Sequence, residues 1–317
     1  MIFEVFERAR WPTISFVCIA VITVPLYIVV VAGILHGIRR SSRFRTVYYY
    51  LVLSQAIVDA VAIPSDSFTF VCRYMGLFKD LFWEKRYYLA PYSFNSNHLL
   101  FMLRVFGDFL VSLQRFLILC YPFSSLQKFV SSLPFGVIVL IHWTVPILIS
   151  LPITLNFDRT FDTPDTLLTV VKTADQMVAS SLEVIYQLTT FSISVTAYLF
   201  VFKIILSHRL DGGLTREMRL SLVVMGQTVA FGLSVAFYST QYVVVKLDIT
   251  DAILQLRNYY PLLTGFESFV NPWLHIIVNT DLRKEVWRMF GMRKDSSTGV
   301  SDSQSRPMNQ VATAETG

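Results

Sequence analysis

The stretch TISFVCIAVITVPLYIVVVAGIL, residues 13–35, contains no Asp, Glu, Lys or Arg. A helix needs about 20 apolar residues to cross the roughly 30 Å hydrocarbon core of a bilayer. Residues 133–155 and 220–245 are equally free of ionised side chains over comparable lengths. The whole chain of 317 residues is 54% hydrophobic and only 15% charged, with a mean hydropathy of +0.53. An ordinary soluble domain carries about 25% charged residues. The deficit runs along the full length, so the outer surface must be apolar too. The sequence reads as a polytopic membrane protein.

Four less uniform runs join the first three. Residues 47–71 hold Asp59, Pro64 and Asp66; residues 98–121 hold Arg104, Asp108 and Arg115. Residues 182–206 hold Glu183 and Lys203 near their ends, and residues 258–278 hold Glu267. Internal prolines such as Pro25, Pro146 and Pro152 do not argue against spans, because neighbouring helices re-satisfy the freed carbonyls. The expected fold is an all-α membrane protein, a seven-transmembrane helix bundle within residues 1–290. After the last span, Leu282, Val286 and Phe290 recur every fourth residue among basic ones. That predicts a short amphipathic helix over about 281–292, lying on a leaflet. Residues 295–317 are rich in Ser, Thr, Gln and Asn, which predicts a disordered tail.

An odd number of spans puts the two ends on opposite sides. The first, third and fifth links together with the tail hold fourteen Lys and Arg, against ten on the other side. The positive-inside rule then predicts an external N-terminus and a cytosolic C-terminus. The mixed charges of MIFEVFERARWP, followed by a long apolar run, read as an uncleaved signal anchor. The net charge of +5 comes mainly from cations flanking the spans, so no nucleic-acid partner is expected. Cys18, Cys72 and Cys120 form no disulfide framework, and Cys72 reads as a free thiol. The sequence holds no metal-ligand cluster, and no cofactor is expected.

Ionisable side chains within spans each cost about 2.5–3.5 kcal/mol on insertion scales and need a reason to be there. Arg104 and Asp108 lie four apart on one helical face. They are expected to neutralise each other or to anchor a ligand. Glu267 is expected to face the interior, either as a hydrogen-bond hub with Asp59 and Asn271 as partners, or as a sodium, proton or ligand site. Asp66, Glu183 and Lys203 lie near span ends, where snorkelling to water explains them. Phe101, Phe106, Tyr238 and Gln241, with Asn95, Asn97, His98, Ser234 and Ser239, supply apolar walls and polar groups. Such a pocket suits a small organic ligand; the bland alternative for the aromatic residues is helix packing.

Two motifs extend this reading. QRFLILCYP puts Gln114 and Arg115 at one end of the third span, and SFVNPWLHII puts Asn271, Pro272 and His275 late in the seventh. Seven spans with these motifs resemble the G-protein-coupled receptors, where an Asp-Arg-Tyr triplet and an Asn-Pro-x-x-Tyr motif hold the same places. The departures are Gln114 for the acid, His275 for the tyrosine, and no cysteine to staple the third span to the following outer loop. This mixture resembles the nematode serpentine chemoreceptors, in the superfamily of classes gamma and V. RNYYPLLTGFESFVNPW favours class V. The resemblance implies a plasma-membrane receptor of sensory cilia, a small odorant or pheromone-like ligand, and a heterotrimeric G protein as cytosolic partner. It also makes Gln114, Arg115, Asn271, Pro272 and His275 the signalling switch, although Arg115 alone could equally snorkel to headgroups. Glu217 is a candidate cross-bundle partner for Arg115, and Asp59 falls near the acidic position that often binds sodium.

Function therefore resolves into a chemosensory receptor or, as the alternative, a small transporter or ligand-gated channel using Asp59, Asp108 and Glu267. The absence of a visible internal repeat weighs against the transporter. No paired catalytic acids or His-rich set suggests an enzyme.

Overall fold

The computed structural model describes residues 10–155, 158–170, 173–209, 216–247 and 249–292. The predicted tail, residues 295–317, lies outside them. The described residues form ten α-helices and one two-stranded hairpin. Seven of the helices are long: α1 (Arg10–Arg40), α2 (Val47–Asp66), α4 (Arg86–Cys120), α6 (Phe135–Thr154), α7 (Thr173–Arg209), α8 (Arg216–Lys246) and α9 (Thr250–Val278). Three are short: α3 (Lys79–Glu84), α5 (Ser125–Ser131) and α10 (Thr280–Met289). Strands β1 (Thr160–Phe161) and β2 (Thr169–Val170) pair antiparallel between α6 and α7. We call the two ends of the bundle the hairpin end and the α10 end.

Among the described residues, α1, α2 with its extension to Cys72, α6, α7 and α8 are long and apolar enough to cross a membrane. The other two long helices, α4 and α9, carry interior ionisable residues of their own, Arg104, Arg115 and Glu267 among them. The bundle surface has the composition expected of contact with lipid. Val21, Ile28, Leu140, Leu199, Val229 and Ile277 are each more than half exposed, whereas a soluble monomer rarely leaves such large apolar areas open.

The longest departure from expectation is at the start of α4. The sequence RYYLAPYSFNSN resembles a polar loop, yet it is helical from Arg86 and carries the helix three turns beyond the predicted boundary near His98. Its Ala90 packs with Phe82 of α3 and with Phe161 and Leu167 of the hairpin, all nearly fully buried. The helix continues because tertiary burial outweighs the weak local preference. Asp162 shapes the hairpin turn: its Oδ1 accepts from the backbone N–H groups of Thr163 and Leu168, each at 2.7 Å. Leu167 adopts a left-handed φ of 48° within this turn, and its side chain is 1% exposed. Burial offsets the backbone strain there.

At the other end, Asn279 Oδ1 accepts from the N–H of Leu282 at 3.1 Å and caps α10. Leu282 and Val286 are buried against α1, where Gly33 has no side chain to keep Val286 away. Phe290, the third member of the predicted apolar stripe, is exposed instead. All three cysteines are free.

Polar groups staple the middle of the bundle. His142 of α6 shares a 2.7 Å hydrogen bond with Ser54 of α2 and reaches the carbonyl of Leu103 in α4 at 2.9 Å. The approach requires Gly107. A methyl there would overlap Gln55 Oε1 and lie 2.9 Å from His142 Nε2. Gly107→Ala should therefore destabilise the protein by about 1–3 kcal/mol, read as a lower thermal midpoint in detergent. Gly136→Ala, where nothing lies within 4 Å of the added carbon, should leave the midpoint unchanged.

Candidate functional site

Three layers of polar residues run down the interior. The central layer is ionic. Arg104 of α4 is 2% exposed, and its Nε donates to Asp59 Oδ1 of α2 at 3.1 Å. Its Nη2 pairs with Asp66 Oδ2 at 3.6 Å, two helical turns further along α2. Tyr27 Oη of α1 donates to Asp59 Oδ2 at 2.6 Å, and Ser268 Oγ of α9 donates to Asp59 Oδ1. One carboxylate thus joins α1, α2, α4 and α9. Glu267 is 5% exposed and lies within electrostatic reach of Arg104, with Ser234 of α8 as its neighbour.

The second layer is at the hairpin end. A cavity of about 110 Å³ lies there, walled by α4, α7, α8, α9, β2 and the segment after α2 that holds Phe70, Arg73 and Tyr74. His98 Nδ1 and Glu183 Oε1 lie 2.6 Å apart across it, joining α4 to α7. Arg73, 7% exposed, lines the cavity just past the π-helical turn Ser67–Cys72 that ends α2. Below this layer the Phe101 ring packs on Tyr238, with centroids 4.3 Å apart. The hairpin closes the top. Arg73 Nη1 donates to Thr169 Oγ1 at 3.1 Å, and Arg159 Nη1 donates to Asn95 Oδ1 while stacking 4.0 Å over Phe94.

The third layer is at the α10 end. Arg115 is 1% exposed and lies 4.0 Å over the ring of Tyr48 in α2. The Tyr48 ring is in turn 5.9 Å from that of His275 in α9. Gln114 is buried beside it. One level up, Gln227 Nε2 of α8 donates to Asn271 Oδ1 at 2.7 Å. On the flank, Glu285 of α10 accepts from Arg288 at 2.5 Å and lies 2.9 Å from His36 Nδ1 of α1.

Several sequence-based expectations need correction. Arg104 pairs with Asp59 and Asp66 rather than with Asp108, because its long side chain reaches across to α2, where two buried carboxylates would otherwise lack a cation. Asp66 does not snorkel: it is 3% exposed and belongs to this cluster. Asn271 bonds Gln227, not Glu267. Arg115 does not snorkel to headgroups, since the face of Tyr48 offers a cation–π contact in the dry interior. Lys203 is exposed, in keeping with snorkelling. The side chain of Glu217 lies outside the described residues. Of the expected ligand contacts, Tyr238 and Gln241 line the cavity, while Arg104, Asp108 and Phe101 do not.

Arg73 and Glu183 were not anticipated as cavity residues. Arg73 reads as a loop cation, and only its aromatic neighbours Phe70 and Tyr74 hint otherwise. The contact of His98 with Glu183 spans 85 residues and has no local signal. Among the described residues, no group of three His, Cys, Asp or Glu side chains is placed to hold a metal ion.

Comparison with known proteins agrees with this architecture. The model of the family described as serpentine type 7TM GPCR chemoreceptor Srv matches residues 16–292. The chain therefore belongs to this nematode receptor family, the class favoured by the motifs of α9, and is an integral membrane protein. No curated protein shows significant similarity to it.

The central cluster makes a quantitative prediction. Arg104→Leu leaves Asp59 and Asp66 buried without a cation and should cost about 3–5 kcal/mol, seen as a large drop in thermal midpoint and cell-surface yield. Asp59→Asn keeps an acceptor for Tyr27 and Ser268 and should cost less. In a double-mutant cycle the two losses should be clearly sub-additive.

Proposed function

We propose that this Srv-family chain is a chemosensory receptor that binds a small external molecule at the hairpin end and signals to a heterotrimeric G protein at the α10 end. The observation that carries this reading is the cavity beneath the hairpin. Six elements converge on it, five Phe and Tyr rings line it beside polar and charged side chains, and the surface it exposes is mostly apolar. Such a concave, mostly apolar site suits a small odorant or pheromone-like compound. Tyr238 and Gln241 are its proposed contacts from α8.

The orientation follows from charge. Four arginines lie between residues 39 and 45, and more basic residues follow α9, which favours a cytosolic α10 end. The cavity then faces outward, as reception of an external chemical at the plasma membrane of a sensory cilium requires. Arg115, Gln114, Asn271, Pro272 and His275 are the proposed switch. Arg115 is held under Tyr48 in this arrangement. Its release on ligand binding is the change we assign to signalling, a shift between two packings of the bundle.

A transporter or channel would need the interior carboxylates free to pass an ion. Asp59, one of the three carboxylates that the alternative uses, is instead committed to Arg104, which favours the receptor reading.

The test is a G-protein activation assay in cells expressing the receptor at measured surface density, challenged with fractionated volatile and soluble chemicals. For an active fraction, Gln241→Leu should raise the half-maximal concentration about five- to tenfold, the worth of one lost hydrogen bond. Arg115→Ala should suppress the maximal response while leaving ligand binding in place. A ligand-evoked current that persists without G proteins would overturn the assignment in favour of a channel.

A further inference from the structure

The cavity at the hairpin end contains a cation that no carboxylate among the described residues balances. Arg73 is 7% exposed, and its guanidinium is surrounded by three aromatic rings. The centroids of Phe70, Tyr74 and Phe161 lie 5.4, 5.2 and 5.6 Å away. Its one hydrogen bond among the described residues goes to the Thr169 hydroxyl, a neutral group. No described carboxylate pairs with it. The nearby Glu183 is engaged by His98 instead. Burying a charge without a counter-ion is costly, and the rings recover only part of that cost. Arg104, by contrast, has two carboxylates.

Two further buried groups face the same space with unused capacity. His98, 2% exposed, leaves Nε2 without a hydrogen-bond partner, and Asn97, 8% exposed, leaves Oδ1 without one. With the His98 Nδ1–H on Glu183 both are acceptors, open to a donor group on a ligand's body rather than to its anionic end. A guanidinium presents a planar fork of donors that matches a carboxylate in two parallel hydrogen bonds. A phosphate dianion would leave negative charge over beside Glu183, since Arg73 is the one Lys or Arg among the described residues that line the cavity. A neutral ligand would leave Arg73 unbalanced.

We propose that this pocket takes a small organic carboxylate, its anionic end on Arg73 and its apolar body against Tyr238 and Tyr260. The inference rests on the receptor reading above and adds the chemical class of the ligand. It also gives the hairpin a part in recognition. Thr169 of β2 and the bound carboxylate would share the Arg73 guanidinium, so occupancy would be felt directly by the segment that closes the cavity.

The test uses matched probes of one shape and different charge: benzoate against benzamide, and hexanoate against hexanamide. Thermal stability of the purified full-length receptor is measured with each probe up to about 10 mM, a range that captures weak fragments. At least one carboxylate should raise the midpoint, with its amide at least about tenfold less potent, the scale of a charge-assisted pair. Arg73→Gln should abolish the effect. Arg73→Lys, which keeps the charge but loses the fork, should retain a weakened one. Equal action of acid and amide, no action of either acid on the wild type, or full action on Arg73→Gln would overturn the proposal. The wild-type comparison does not depend on either variant folding. If neutral compounds drive G-protein activation through Gln241 while carboxylates do nothing, the receptor reading stands and the carboxylate assignment falls. If the receptor activates no G protein at all, the receptor reading itself falls.

Discussion

Arg104 bridges two carboxylates that lie two turns apart on α2, and the rest of the interior is arranged around that bridge. In a bilayer a lone buried charge has no water to turn to, and relocation to a headgroup is closed to a residue in mid-helix. Asp59 alone would be unaffordable at this depth. With the guanidinium on one side, Tyr27 on another and the Ser268 hydroxyl on a third, it becomes a junction of four helices. The apolar seams provide bulk cohesion, but in lipid they provide little preference for one helix pairing over another, because the tails are as apolar as leucine. The directional polar contacts decide which helix faces which.

The hairpin raises the same problem at a watery boundary. The chain has no cysteine with which to tie this segment to α4, and all three of its cysteines are free. Its place is taken by two noncovalent devices. Phe161 and Leu167 enter an aromatic pocket with Phe82, and two arginines, Arg73 and Arg159, clamp the strands through rings and hydroxyl or amide groups. A disulfide would hold the segment in one position. This closure can open at the cost of a few weak contacts, which would suit a lid over the cavity we propose as the ligand site.

Much of the architecture was legible because bilayer thickness acts on every span alike. The charge-free runs at 13–35 and 220–245 fall within α1 and α8, the run at 133–155 covers α6, and no tertiary information was needed to see them. The first three turns of α4 were not legible, because tyrosines, asparagines and serines in RYYLAPYSFNSN are loop-like until a hairpin and α3 are placed against them. The partners of Arg104 were illegible for a different reason. Spacing along one helix identifies Asp108 as a possible mate, but the choice between a neighbour on the same helix and an acid on another depends on how the two helices are rotated. Arg73 was hidden by the same limit. A basic residue at a predicted span end looks like a membrane-flanking cation, and only the π-helical turn before it brings it over the cavity.

The pairing of α2 with α4 ties the three layers together. Tyr48 and Asp59 are eleven residues apart on α2, and their partners Arg115 and Arg104 are eleven apart on α4. Eleven residues make about three turns of an α-helix, roughly 16.5 Å, so both contacts lie on one stripe of each helix in an antiparallel register. Asp66, which shares Arg104, extends the stripe toward Asn97 and His98 at the cavity wall. A rotation of α4 that lifted Arg115 from the Tyr48 ring would also swing Arg104 away from Asp59, and it would change how His98 meets Glu183. The polar contacts along this stripe are therefore not independent. A ligand that altered the His98 layer would act on the Arg115 layer through one rigid helix, with the Arg104 bridge setting the free-energy difference between the two arrangements.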